Sequence, residues 1–216
     1  MRGKFITFEG TEGGGKSTQI QLLAERLRAM GRPVRMLREP GGTPIGEEIR
    51  HTLKHSEANH GMTAEAELLL MNASRAQLVR EVIRPALDAG ETVLCDRFYH
   101  STIAYQGYGR GLGLEQVQQV VDFAVGGTRP DLTLLLEVSV AVSEARRLAR
   151  AASPGVGETK RDRMEEADRA FFERVHEGFR HLALADTERI KVIDASQPVE
   201  RVSQAIWTQI SPVICG

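Results

Sequence analysis

The sequence predicts an α/β fold in which a parallel sheet is covered by helices on both faces. Five short apolar runs recur along the 216 residues with helical stretches between them, the pattern of parallel strands joined by crossover helices. The first run leads straight into the Gly-rich segment "GTEGGGKS" (10–17), and a helical stretch follows. Each run also ends in charge, at Glu9, Arg38-Glu39, Asp96-Arg97, Glu137 and Asp194. In open parallel sheets, ligands gather outside the carboxyl ends of the strands.

The elements follow in order. "KFITFE" (4–9) is β-branched and aromatic, which suits a buried strand. Residues 10–17 read G-x-x-x-x-G-K-S, the spacing of a phosphate-cradling loop. Glycine loses more freedom on folding than any other residue, so Gly10, Gly13, Gly14 and Gly15 imply a need for bare backbone. Inward-turned N–H groups form an anion nest, and the helix that follows adds its positive end. A plain Gly-rich turn could also precede Lys-Ser, but the strand before and the helix after favour phosphate. That helix, 17–30, places Ile20, Leu23, Leu27 and Met30 on one face and stops at Gly31 and Pro33.

A second strand is predicted at "PVRML" (33–37), then helices over 44–54 and 63–88, the latter kinked or broken by Pro85. "TVLC" (92–95) is the third strand, followed by a helix over 114–124. "LTLLLE" (132–137) is the fourth, followed by a helix over 139–150. "RAASPGVGETKR" (150–161) has loop composition without apolar periodicity and reads as a mobile lid between helices. A helix over 165–185, the strand "RIKVI" (189–193) and a helix over 198–210 complete the chain. With no internal repeat or linker, residues 1–216 are expected to form one domain with a lid near 146–166.

Composition narrows the function classes. Hydrophobic residues make up 41% and charged residues 26%, so disorder is not expected. A net charge of −1 argues against broad attraction to nucleic acid or anionic membrane. No apolar run approaches a membrane span, and the N-terminal residues lack the pattern of a secretory signal. Only Cys95 and Cys215 are present, which suggests no disulfide framework and favours a reducing cytoplasm. Cys95 falls in an apolar strand and reads as a small buried hydrophobe.

A phosphate loop alone leaves several nucleotide enzymes open. A GTPase switch needs D-x-x-G and N-K-x-D, and neither tetrapeptide occurs in the sequence. A motor ATPase strand would end in Asp-Glu, whereas "TVLC" ends in Asp96-Arg97. The aspartate suits a carboxylate near Mg²⁺, and the arginine suits a bidentate grip on a second phosphate. A surface ion pair is the plainer alternative.

Four further segments carry a resemblance: "REPGGTPIGEEIR" (38–50), "LLLMNASRAQ" (68–77), "CDRFYHSTIAYQGYGRG" (95–111) and "RPDLTLLLEV" (129–138). Together with the phosphate loop they resemble the bacterial thymidylate kinase family over nearly the whole chain, most weakly in 151–161. The most specific of them is D-R-[FY]-x-x-S-x-x-A-Y-Q. The resemblance implies a P-loop kinase with a five-stranded parallel sheet, phosphorylation of dTMP to dTDP with ATP and Mg²⁺, and a homodimer.

Site residues follow from the same resemblance. Gly10, Thr11, Glu12, Gly13, Gly14, Gly15, Lys16, Ser17 and Thr18 would hold the ATP phosphates, with Lys16 neutralising the transferring group. Ser17 and Asp96 would hold Mg²⁺. Arg97 would grip the dTMP phosphate, helped by Arg38 and Arg50 around the turn that contains Glu39 and Pro40. Glu12 would face the acceptor nucleotide. Arg75, Thr102 and Gln106, with Ser101 beside them, would read the thymine edge, and Tyr105 would crowd the sugar against a 2′-hydroxyl. Arg146 would contact ATP, and the Asp194–Pro198 loop, including Gln197, would lie beside the adenine. The family carries Phe where this chain has Met71, and a thioether offers less stacking area than a ring.

A dTMP phosphate oxygen is already anionic, so transfer requires positioning and charge neutralisation rather than a general base. The phosphate loop holds no arginine between Gly10 and Lys16, so the lid is expected to supply one. Arg146 and Arg150 share a helical face by spacing, and "KRDR" (160–163) adds Lys160, Arg161 and Arg163. Of these, Arg150 and Arg163 are the catalytic candidates. Acidic residues interleaved with the lid cations weaken an RNA-binding reading, and neither nucleic acid nor membrane is an expected partner. Two alternatives remain: a binding module of the same fold without turnover, and a kinase for another nucleoside monophosphate.

Overall fold

The computed structural model describes residues 2–151 and 168–215. Its five strands are β1 (Phe5–Glu9), β2 (Val34–Arg38), β3 (Thr92–Asp96), β4 (Leu132–Glu137) and β5 (Ile190–Asp194). They pair in the order β2-β3-β1-β4-β5, every pair parallel. Each predicted strand is present within one residue of its expected ends.

Period-two alternation divides the sheet between two layers. Ile6 and Phe8 face one side with Leu94, Leu134 and Leu136, against α1 (Lys16–Ala29) and α9 (Val199–Cys215). Phe5, Val93 and Cys95 face the other side, against α3 (Ala64–Leu78) and α6 (Leu114–Val125). Thr7 and Thr133 are buried between strands, and their hydroxyls bond each other at 2.9 Å.

The remaining helices are α2 (Pro44–Lys54), α4 (Arg84–Asp88), α5 (Tyr99–Thr102), α7 (Val140–Ala151) and α8 (Arg169–Ala185). Thr43 caps α2 and Thr63 caps α3, each side chain accepting a backbone N–H two residues inside the helix start. The expected break at Pro85 takes the form of a π-helical turn, Val79–Ile83, that joins α3 to α4. The proline ring crowds the carbonyl of Glu81, four residues back, and the backbone widens there instead of stopping. A helical segment that periodicity did not predict runs from Tyr99 to Gly109, its second half also π-helical. Among the described residues no helix is long and apolar enough to cross a membrane.

Register decides where the chemistry gathers. Phe8 pairs with Asp96, Glu9 with Leu135, and Arg38 with Asp96, so the charged strand ends come level at one edge of the sheet. The phosphate loop and the segment after β3 rise from that edge. Of the expected lid, 152–167 and with it Lys160, Arg161 and Arg163 lie outside the described residues, as does the side chain of Arg150.

Candidate functional site

The loop between β1 and α1 needs its glycines for measurable reasons. Gly10 has φ 121°, and a Cβ there would stand 2.3 Å from the Leu136 carbonyl oxygen. Gly13 has φ 77° and lies against α7, where a Cβ would meet Arg146 and Ser143 at 3.1 Å. A side chain at Gly10 would therefore push the loop off β4. The loop is also held from outside: Ser143 Oγ donates to the Glu12 carbonyl at 2.6 Å, and Arg146 donates to the carbonyls of Gly13 and Ala195, both at 3.0 Å.

Lys16 folds back over this loop, its Nζ donating to the Gly10 and Thr11 carbonyls at 3.1 and 3.0 Å. Burial, reinforced by the nearby charge of Arg97, lowers its pKa to about 8, although Asp96, Glu12 and Glu9 partly offset this. An ammonium already stripped of water gains strongly from an arriving anion. Ser17 Oγ donates to Asp96 Oδ2 at 2.9 Å, which joins the start of α1 to the end of β3.

Arg97 follows directly. Its φ is 71°, the one left-handed non-glycine among the described residues. That conformation costs about 1–2 kcal/mol for an L-residue, and here it turns the side chain from the sheet end back into the cleft. The guanidinium donates to the Gly10 carbonyl and Ser101 Oγ, each at 3.1 Å, and to the Tyr105 hydroxyl at 3.3 Å. Glu12 approaches it at 4.0 Å. Burial opposes its charge, but Tyr105, Glu12, Asp96 and Glu9 together hold the pKa above its ordinary value.

Two cavities meet there. One pocket is lined by Glu39, Pro40, Met71, Arg75, Phe98, Ser101, Thr102, Tyr105 and Gln106, together with Glu12, Lys54 and Arg97. An open, polar cleft beside it is lined by Gly13, Gly15, Lys16, Ser17, Thr18, Arg50 and Asp96, again with Glu12, Lys54 and Arg97. The first joins apolar surface to a few fixed polar groups, the makeup of a small-molecule site. The second has the donors and cations of a polyphosphate site.

Most of the residues singled out from sequence converge on these cavities. Met71 is half-buried and faces the pocket one turn before Arg75. Arg75 is 2% exposed and held on three sides: it donates to Glu39 at 2.8 Å, to Asn72 at 2.8 Å and to the Phe98 carbonyl at 3.3 Å. Burial raises the pKa of Glu39 even against this partner, and its Oε1 has no hydrogen-bond partner. The buried pair is thus a fixed wall of the pocket with an acceptor to spare. Arg38 and Arg50 both donate to the Pro40 carbonyl, at 3.1 and 2.9 Å, but only Arg50 lines the phosphate cleft, whereas Arg38 is half-exposed and also pairs with Glu47 at 2.9 Å. Asp194 lines a separate cavity with Glu137, Ser139 and Ser196. Its carboxylate accepts from Ser196 and Gln197, bonds that lower its pKa and hold the 194–197 turn.

Three buried partners escaped sequence reasoning. Glu67 accepts from Gln106 at 2.8 Å and from Arg110 at 3.2 and 3.0 Å. Asn72 holds Arg75. The spacing of Glu67, Met71 and Arg75, four residues apart each time, would have placed all three on one face of α3. In the sequence Glu9 reads only as a strand-end charge. Fully buried, it accepts the Phe98 N–H at 2.8 Å and the Ser101 hydroxyl at 2.5 Å, and burial raises its pKa to about 7 despite Ser101 and Arg97.

A raised carboxyl pKa means that the native state keeps a proton the unfolded chain has released. The stability this contributes is full below about 4.5 and is lost as pH rises through about 7. Glu9→Gln, neutral throughout, is therefore expected to gain on the wild type between about pH 5 and about pH 8, by up to ~3 kcal/mol. Urea denaturation of both proteins at the two pH values measures this, and a pH-independent difference would refute it.

Comparison with known proteins gives one consistent result. The family model described as Thymidylate kinase matches residues 8–206. A thymidylate kinase of Deinococcus radiodurans is 46% identical over 210 residues, covering 97% of each chain. One from Pseudomonas fluorescens is 49% identical over 206 residues, covering 95% of this chain and 94% of the relative. Among solved structures, the thymidylate kinase from Ehrlichia chaffeensis superposes with a TM-score of 0.78 at 30% identity, covering 97% of this chain and all of that one.

Proposed function

Because the chain belongs to the thymidylate kinase family, we propose that the two cavities described above are its acceptor and donor sites. The enzyme transfers the terminal phosphoryl group of ATP to dTMP, giving dTDP and ADP. The observation that carries the site reading is the junction at Arg97, which borders the largely apolar pocket and the phosphate cleft alike.

In this reading the thymine lies between Met71 and the polar wall of Arg75, Thr102 and Gln106. Tyr105 packs edge-on against Phe171 and Phe179, so its ring cannot retreat from the sugar. Arg97 and Arg50 hold the acceptor phosphate, and Lys16 with the loop N–H groups holds the donor phosphates. Attack is direct, since the acceptor oxygen is already anionic, and the residues act by orienting two charged groups that otherwise repel. Ser17 Oγ and Asp96 Oδ2, 2.9 Å apart at the rim of the cleft, form a hard-oxygen donor set of the kind Mg²⁺ uses alongside substrate phosphates. Mg²⁺ bound there would neutralise phosphate charge. The remaining cationic charge is assigned to a lid near residues 146–166, with Arg150 and Arg163 as candidates, a role that kcat of the two alanine variants tests.

The chain is further read as one catalytic domain acting as a homodimer in the cytoplasm. In support, α3 and α6 pack side by side and expose Leu69 (58%) and Phe123 (84%), apolar area suited to a second copy. The sequence holds two cysteines, Cys95 and Cys215, too few for a disulfide framework, which favours a reducing compartment. A sedimentation mass of one chain would remove the dimer, and cell fractionation tests the compartment.

The activity is tested with a panel of nucleoside monophosphates and ATP. We expect dTMP to be the best acceptor by a wide margin. Tyr105→Ala should narrow its advantage over the ribonucleotide counterpart while slowing both. Another preferred acceptor would overturn the substrate assignment, and an absence of turnover with every acceptor would favour the binding-module alternative.

A further inference from the structure

Lys54, the last residue of α2, belongs to none of the motifs that identified the site. It is half-buried, and it lines both cavities, a property it shares with Glu12 and Arg97. A nucleoside monophosphate seated in the pocket must place its phosphate where the pocket opens onto the cleft. The residues common to both cavities mark that point. Around the cleft stand four cations, Lys16, Arg50, Lys54 and Arg97, against two carboxylates, Glu12 and Asp96. The excess is positive, as an entering dianion requires. A cation at a helix C-terminus is favourable in itself, but that role could be filled from solvent and does not require a place at the junction.

We propose that Lys54 is a further acceptor-phosphate residue, its ammonium binding the 5′-monophosphate beside Arg97 and Arg50. This rests on the reading of the pocket as the dTMP site. The two kinds of cation differ in what they can do. Arg97 is a rigid fork fixed by Ser101, Tyr105 and Gly10, and it sets the direction of the phosphate. Lys54 carries a compact point charge, which attracts a phosphate without fixing its direction. Its contribution is therefore made equally in the ground state and the transition state, and it belongs to binding.

The test compares dTMP with thymidine, which has the same base and sugar but no phosphate, by titration calorimetry without ATP, supported by steady-state kinetics. Lys54→Leu keeps a stem of similar bulk without the charge. It is expected to weaken dTMP binding about tenfold and raise KM for dTMP to match. Thymidine binding and kcat should change less than about twofold, and Lys54→Arg should restore most of the loss. Equal weakening of dTMP and thymidine would mean that Lys54 only shapes the pocket, and would overturn the proposal. An unchanged affinity for dTMP, or a rise in KM for ATP in its place, would do so as well. Failure of the wild type to bind dTMP would strike the substrate assignment itself, so the two failures are distinguishable.

Discussion

Replacing Lys16 with alanine is expected to lower kcat by at least ~100-fold while the protein remains folded. Lys16 is 7% exposed and its ammonium is tied to two carbonyls of its own loop, so it is already directed where the phosphates lie. Because burial has removed its water, binding an anion costs it little further desolvation, and its field acts in a region of low dielectric. Those conditions make one charge worth several kcal/mol at a transition state. Stability should not suffer in proportion. The side chain spans no two elements, and its burial as a cation is unfavourable, as its lowered pKa records. Single-turnover kinetics and thermal denaturation of the variant measure the two effects separately. Near-normal turnover would show that the loop only binds nucleotide.

Arg97→Ala is expected to reduce kcat/KM for dTMP by ~100- to 1,000-fold, equivalent to losing charge-assisted bonds from a desolvated fork. Arg97→Lys should recover little, because a single ammonium cannot reproduce three directed bonds to Gly10, Ser101 and Tyr105. The backbone offers an independent check. At φ 71° alanine is strained and glycine is not, so Arg97→Gly should be more stable than Arg97→Ala by about 1 kcal/mol although both lose the grip. Chemical denaturation of the pair resolves this. If the two variants are equally stable, the left-handed turn is not imposed by the fold. If either retains wild-type kcat/KM, the acceptor phosphate is held elsewhere.

Much of this site was legible in the chain because its signals are local. The phosphate loop is eight consecutive residues whose meaning depends only on a strand before and a helix after. The strand ends are legible for a similar reason: apolar runs bounded by charge mark where buried chain reaches solvent. Asp96-Arg97, Ser101, Thr102, Tyr105 and Gln106 lie within eleven positions and carry their own pattern. The helix that presents them was not predicted, since "YHSTIAYQGYG" has two glycines and no apolar period, and it is held by packing against α8 rather than by propensity.

By itself, then, the sequence determined the five strands, the helices with clear periodicity, the phosphate loop, and the set of residue types brought to the strand ends. Only tertiary structure decided which of them cooperate. Arg38 and Arg50 meet at the same Pro40 carbonyl, yet only Arg50 lines the cleft, while Arg38 is also drawn to Glu47. Glu9 supports the Arg97 segment through Ser101, a partner 92 positions away. Glu67 anchors Gln106 across 39 positions, and Lys54 reaches a junction formed by segments from three parts of the chain. Local pattern encodes what a segment becomes because backbone geometry repeats over a few residues. Which side chains share a buried space depends on strand order, register and helix rotation, and these are settled only when the whole core packs.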